Sequence, residues 1–274
     1  MRRSGVRSSS SPPEFHQGLE RSRPFPFWPV ESSTLRCGMD SRAARATERH
    51  GLHALLVRHS SLILPLLACG GTGAIAALFL HLGSEVTEGE TRVFDEYVLV
   101  GAKAARSAHP WITEVMRDLS GMGGTVTLLL ATIAACGYLA LTGSGKRAVI
   151  VALSIAGAEI AVESFKAVFE RTRPDVVMAE FAVRGLSFPS GHSSMSAVVF
   201  LTLGALIAYG HVRPLLRWYI MGVAVAATVL VGLSRAALGV HWATDVLGGW
   251  AFGAAWAAAT LLLVARLGRD SPDP

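Results

Sequence analysis

The chain has 274 residues, 51% of them apolar and only 16% charged, with a formal net charge of +5. An ordinary soluble domain carries about a quarter charged residues, so this composition excludes one. The three cysteines form no C-x-x-C and no Cys/His spacing suited to zinc, and the positive charge does not point to nucleic acid, because the arginines flank apolar blocks.

In chain order, residues 1–58 come first, rich in Ser, Pro and Arg, as in MRRSGVRSSSSPPEF. No helical or strand period runs through them, and they read as a disordered cytoplasmic tail. The Arg and Ser content also fits an organellar transit peptide, against which Glu14, Glu20, Glu31 and Asp40 count, and Met39 offers an alternative start. Six apolar blocks follow within a membrane domain over 59–268, near 61–82, 125–141, 148–165, 193–209, 218–233 and 246–267; residues 269–274 form a short tail. A spanning helix needs roughly 20 apolar residues. Only helices or closed barrels satisfy their backbone groups in lipid, and the blocks predict helices. The second, fourth and fifth blocks are short, so their ends are the least sharply set. Gly and Ala at close spacing suit close helix approach.

Orientation follows from Lys and Arg in the short flanks. The first 58 residues hold ten Arg; Lys146 and Arg147 join blocks two and three, Arg213 and Arg217 join blocks four and five, and Arg266 and Arg269 follow block six. These segments alternate as cytoplasmic ones should, which places both termini inside. The first outer loop is acidic, with Glu85, Glu88, Glu90, Asp95, Glu96, Glu114 and Asp118, and its stretch RVFDEYVLVGAKAARSAHPWITEVMRDL predicts a helix along the interface. Two outer segments break the rule. One holds Lys166, Arg171, Arg173 and Arg184; the other holds Arg235 and His241. Positive charge on the disfavoured side implies an anion there.

Three stretches in these segments carry chemistry. In LSFPSGHSSMS, Pro189 favours a helix start and Ser190 is a good N-cap. Gly191 admits close backbone approach, the free N–H groups of a first helical turn attract anions, and His192 can move a proton near neutral pH. An ordinary capped membrane helix with an interfacial histidine fits the same residues. In KAVFERTRP, Lys166 and Arg173 stand seven apart, two helical turns, and can share a face before Pro174 ends the element. A snorkelling Lys followed by a solvated Arg is the alternative. In SRAALGVHWATD, Asp245 follows His241 by four, so on a helix the carboxylate can hold one ring nitrogen and leave the other as nucleophile or base, with Arg235 six residues earlier. An interfacial His beside a helix-end Asp is the plainer reading, but a carboxylate at the top of a span is costly without a partner.

All three stretches fall on one predicted face and together supply three cations, a helix N-terminus, two imidazoles and a carboxylate. That inventory suits phosphoryl transfer: cations and N–H groups hold the equatorial oxygens, one histidine attacks phosphorus, and the other protonates the leaving oxygen. No acidic cluster suited to Mg²⁺ accompanies them, so neither a metal nor another cofactor is expected.

The three segments resemble the signature of the type 2 phosphatidic acid phosphatase (PAP2) superfamily: K-x6-R-P at Lys166–Pro174, P-S-G-H at Pro189–His192 and S-R-x5-H-x3-D at Ser234–Asp245, in order and without departure. The likeness covers about residues 60–267. It implies an all-α bundle of six transmembrane helices, metal independence, and a lipid phosphate substrate that enters laterally from the bilayer. It implies His241 as a nucleophile forming a phosphohistidine and oriented by Asp245, with His192 as general acid. Lys166, Arg173, Arg235, Ser190 and the Gly191 amide would hold the phosphate.

The expected activity is hydrolysis of a phosphomonoester or pyrophosphate on a lipid at the extracytoplasmic face. Undecaprenyl diphosphate, phosphatidylglycerophosphate and phosphatidic acid are the candidates in a bacterial inner membrane. A lipid phosphotransferase using the same site, an anion or lipid transporter, and a catalytically silent lipid binder are the rivals. No convincing internal repeat favours transport, and the intact histidines and Asp245 weigh against a silent relative. Glu159, Glu163, His81, His109, Ser193, Ser194, Trp242, Trp250 and Arg184 stay outside the expected site, with an ion pair to Lys166 an equal alternative for Glu163. The lipid and the oligomeric state are not legible in the chain.

Overall fold

A computed structural model of the chain describes residues 66–267. The two tails and the first few residues of the first apolar block lie outside the described residues. Eight helices follow one another: α1 (Leu66–Glu88), α2 (Arg92–Ala108), α3 (Trp111–Met122), α4 (Thr125–Leu141), α5 (Gly145–Phe169), α6 (Gly191–Tyr209), α7 (Pro214–Ala237) and α8 (Ala243–Leu267). No strand occurs among the described residues.

Among the described residues, six stretches are long and apolar enough to cross a membrane, the second of them running from Trp111 to Leu141. The hydropathy pattern starts that span only at Thr125. Glu114, Arg117 and Asp118 interrupt the apolar run, yet the backbone remains helical through them as α3, and the chain bends at Gly123 and Gly124 before continuing as α4. The interfacial helix expected in the first outer loop is therefore two helices. α2 is separate and amphipathic, burying Asp95, Leu99 and Arg106, while α3 is the first part of a span.

The core lies where α6 packs against α7 and α8. Val198, Val199, Phe188, Val231 and Val162 are fully buried. Phe79 of α1 meets Phe165 of α5 edge-on at 4.9 Å and stacks on Phe188 at 5.7 Å, tying the first span to the others. α6 and α8 approach closely because glycines face the contact: a Cβ added at Gly253 would come within 2.4 Å of the Ala197 Cβ, and one at Gly249 within 2.8 Å of the Ser193 Cβ.

The up-and-down order brings the C-termini of α5 and α7 and the N-termini of α6 and α8 to one end of the bundle. Lys146, Arg147, Arg213, Arg217 and Arg266 belong to the opposite end. The three motif-bearing stretches therefore meet at one end, although the shortest chain separation between them is more than a dozen residues.

Candidate active site

α5 stops at Phe169, and Glu170 turns the chain out of the helix with a left-handed φ of 47°. Lys166 is still in the last turn, while Arg171 and Arg173 lie on the extended segment beyond. The expectation that Lys166 and Arg173 share one helix face is thus corrected; the chain turn, not the helical period, brings both to the same cavity.

His241 also lies outside a helix, two residues before α8 begins at Ala243, whereas the sequence pattern places it on one helix face with Asp245. The pairing survives the correction. His241 Nδ1 stands 3.2 Å from Asp245 Oδ2. The same oxygen accepts the Trp242 backbone N–H at 2.9 Å and the Ser187 hydroxyl. His241 Nε2 stands 2.9 Å from Arg173 Nη1. A guanidinium can only donate, so Nε2 is the acceptor and Nδ1 carries the ring proton toward Asp245. That tautomer leaves the Nε2 lone pair on the side where Arg173 reaches the cavity. Burial pushes the His241 imidazole down to about 4, against the pull of Asp245 and with help from Arg173 and Arg235. Burial likewise holds Arg173 below the ordinary guanidinium value, opposed by Asp245 and Glu163.

The loop that carries His241 needs one unusual backbone. Gly239 adopts φ +71°, and a Cβ there would meet the Met178 carbonyl oxygen at 2.5 Å. This turn lets the chain leave α7 just after Arg235 and return to start α8. Arg235 is buried, donates from Nη1 to Ser120 Oγ at 2.7 Å, and keeps an Nε with no protein partner. A buried donor of this kind asks for an acceptor from a ligand.

Lys166, Arg173, Gly191, His192, Arg235 and His241 line one cavity of about 570 Å³. The cavity continues down between α4 and α5 along Leu128, Leu129, Ile133 and Ile155. Lys166 is paired with Glu163 at 2.6 Å. Ser190, expected among the phosphate holders, is fully buried and does not line the cavity. It occupies the N-cap position of α6 without a side-chain cap; its N–H donates to the Asp245 carbonyl oxygen at 3.0 Å, and its hydroxyl accepts from Ser193 Oγ at 3.0 Å. Its place is in the seam between α6 and α8. Among the described residues, no three His, Cys, Asp or Glu side chains gather as a metal-ligating group.

Four residues around the cavity were not singled out by sequence reasoning. Arg171 donates from Nη1 to Asp245 Oδ1 at 2.6 Å and from Nη2 to Asp95 Oδ2 at 2.5 Å. Ser187 joins Asp245, and Ser120 joins Arg235. Arg171 and Ser187 stand inside the very stretches that carry the motifs, where their proximity was the available signal. Asp95 and Ser120 come from α2 and α3, and nothing local distinguishes them from their neighbours.

Comparison with known proteins agrees with this architecture. The family model described as the PAP2 superfamily matches residues 147–269. Phosphatidylglycerophosphatase B of Bacillus subtilis (strain 168) is 34% identical over 184 residues, 64% of this chain and 85% of the relative. The crystal structure of a transmembrane PAP2-type phosphatidylglycerolphosphate phosphatase from Bacillus subtilis aligns with a TM-score of 0.65 and 28% identity, over 73% of this chain and 98% of that one. The six spans and these likenesses define an integral membrane lipid phosphatase. The chain belongs to the PAP2 superfamily.

Proposed function

We propose that the enzyme hydrolyses the terminal phosphomonoester of a membrane lipid at the extracytoplasmic face, with phosphatidylglycerophosphate the foremost substrate and phosphatidic acid or undecaprenyl diphosphate the alternatives. The observation that carries the mechanism is the His241 ring, with Nδ1 on Asp245 and Nε2 turned to Arg173, in the same cavity as His192.

In this mechanism Lys166, Arg173 and Arg235 hold the phosphoryl oxygens with the Gly191 amide at the start of α6. Arg173 turns its N–H hydrogen bond from Nε2 to a phosphoryl oxygen as the ester enters, which frees the lone pair. Nε2 attacks phosphorus, the bond from phosphorus to the lipid oxygen breaks, and that oxygen takes a proton from His192. Asp245 stabilises the charge that grows on the imidazole. His192 then takes a proton from water, whose oxygen attacks the phosphohistidine; the P–N bond breaks and inorganic phosphate leaves. The chemistry asks for no metal. The apolar wall between α4 and α5 receives the lipid chains. Lys and Arg at the opposite end of the bundle support a cytoplasmic assignment for that end and an outer one for the site.

The test is phosphate release by the purified full-length protein on phosphatidylglycerophosphate, phosphatidic acid and undecaprenyl diphosphate, with and without EDTA, beside trapping of ³²P on the protein. A base-stable, acid-labile label that His241→Ala abolishes is expected. Normal turnover of His241→Ala would sink the nucleophile assignment, and loss of activity in EDTA restored by Mg²⁺ would sink the metal-free one.

A further inference from the structure

The helix α2 lies outside all three motifs, yet it reaches both ends of the loop that bears His241. At the start of α8, Asp95 Oδ1 accepts the Thr244 backbone N–H at 2.9 Å and Oδ2 accepts the Thr244 hydroxyl at 2.7 Å. At the end of α7, Arg106 donates to the carbonyl oxygens of Ala237 and Met178, the latter at 2.7 Å. Asp95 and Arg106 are eleven residues apart, about three helical turns, so both project from one face. The acid meets a helix N-terminus and the base a helix C-terminus, the favourable sense for both dipoles.

Asp95 has no exposed side-chain surface, and it is joined to the His241–Asp245 pair by a single guanidinium. Arg171 spans the two carboxylates, and its guanidinium lies 5.5 Å from the centre of the Trp242 ring, beside His241 in the chain. The order is therefore Asp95, Arg171, Asp245, His241. Asp245 and Arg171 alone would sum to zero charge next to the imidazole. Asp95 restores one net negative charge behind a ring that must become cationic as it attacks.

We infer that Asp95 and Arg171 are positioning residues of the phosphatase reaction, holding Asp245 in place and keeping the charge behind His241 at minus one. This rests on the reading of His241 as nucleophile. The other groups facing His241 are Arg173 on the segment after α5, Arg235 on α7 and His192 on α6; Lys166, Glu163 and Glu159 line the same cavity from α5. None of them touches Asp95, so the charge of Asp95 reaches the ring through Arg171 and Asp245, and its hold on the loop acts through Thr244.

The experiment uses full-length protein in detergent micelles with a short-chain phosphatidic acid. Wild type is first tested for the base-stable, acid-labile ³²P label. Its absence would overturn the nucleophile reading and this inference with it. Given the label, Asp95→Asn is expected to lower kcat about tenfold or more with KM changed less than about threefold, since small misplacement of a reacting group is costly. It should also move the acid limb of the kcat/KM–pH profile down by about half a pH unit or more, because the uncompensated Arg171 opposes protonation of His241. Adding Arg171→Gln to Asp95→Asn removes that cation and should return the limb to its wild-type place. Structural damage alone cannot produce a shift that the second substitution reverses. An unmoved limb in Asp95→Asn, or a loss that only follows the folded fraction, overturns the proposal while leaving the labelled nucleophile intact. If Asp95→Asn does not survive purification, the double variant carries the test. Asp245 there keeps the Ser187 hydroxyl, the Trp242 N–H and the His241 ring as partners, and the double variant should keep the limb yet turn over about tenfold more slowly. Wild-type turnover there would overturn the positioning role.

Discussion

At the site end of the cavity the side chains are held by other side chains: His241 by Asp245, Asp245 by Arg171, Arg235 by Ser120, Lys166 by Glu163. Farther down, the wall between α4 and α5 is mostly apolar, with Leu128, Leu129, Ile133 and Ile155 beside Thr132 and Glu159, and Leu129 and Ile133 are more than half exposed. The same contrast marks whole helices. The apolar window of α6 is 56% buried by protein, that of the stretch containing α4 only 11%. The difference teaches that the two parts have different solvents. Charges at the site end replace water with fixed partners, whose positions must be set by folding. In the proposed reading the lower wall meets lipid chains, for which any apolar surface of the right width serves. Chemistry should therefore be brittle to substitution, and lipid accommodation tolerant.

The largest effect that could break this contrast is at His241. His241→Ala should lower phosphate release by about a thousandfold or more, read by inorganic phosphate from lipid in micelles. Next comes Asp245→Asn, which replaces one carboxylate oxygen with a donating NH2, so that the His241 Nδ1 proton and Arg171 can no longer both be accepted; a loss of about a hundredfold or more in kcat is expected. Arg173→Lys keeps the charge but loses the fork that can serve both His241 and a phosphoryl oxygen, and kcat/KM should fall about tenfold to a hundredfold. The pH profile sharpens the comparison further. In the proposed mechanism His241 must be neutral to attack, and burial pushes it down to about 4. Activity should therefore survive acidification well below 6.5, the ordinary imidazole value, and fall as the pH passes through about 4; an acid limb near 6.5 would show a wetter site than the one described. The smallest effect should come from the lower wall. Ala156→Trp narrows the cavity between α4 and α5 and should raise KM for long-chain lipid a few-fold. Hydrolysis of a short, water-soluble phosphate ester should not change. Equal losses on both substrates would mean that the two regions are not separable.

Much of this was legible in the chain because membrane helices announce themselves by composition and because the motif residues occur in compact stretches. Six spans, their alternation and the gathering of Lys166, Arg173, His192, Arg235 and His241 at one end all followed from block lengths and local spacing. What was not legible depends on the third dimension. Helical periodicity linked Lys166 to Arg173 and His241 to Asp245, but both pairs straddle a helix end, where the period stops applying. Ser190 looked like a phosphate ligand because it sits beside Gly191 and His192, yet a residue at a helix start can turn either to the cavity or to the neighbouring helix, and packing against α8 decides it. Asp95 is one acid among several in a charged loop. Only the arrival of Arg171 and Thr244 from elsewhere in the chain sets it apart.

The glycines on α8 have a mechanical consequence. Gly249 and Gly253 let that helix ride against Ser193 and Ala197 with no room for a methyl group. His192 rises from the top of one of these two rods, and His241 stands at the head of the other. In the proposed reaction, the gap across which the two imidazoles share a phosphorus is thus gauged within the first turns of the two helices, by glycines that carry no side chain, in the way the pivot of a pair of tongs sets the opening of its tips.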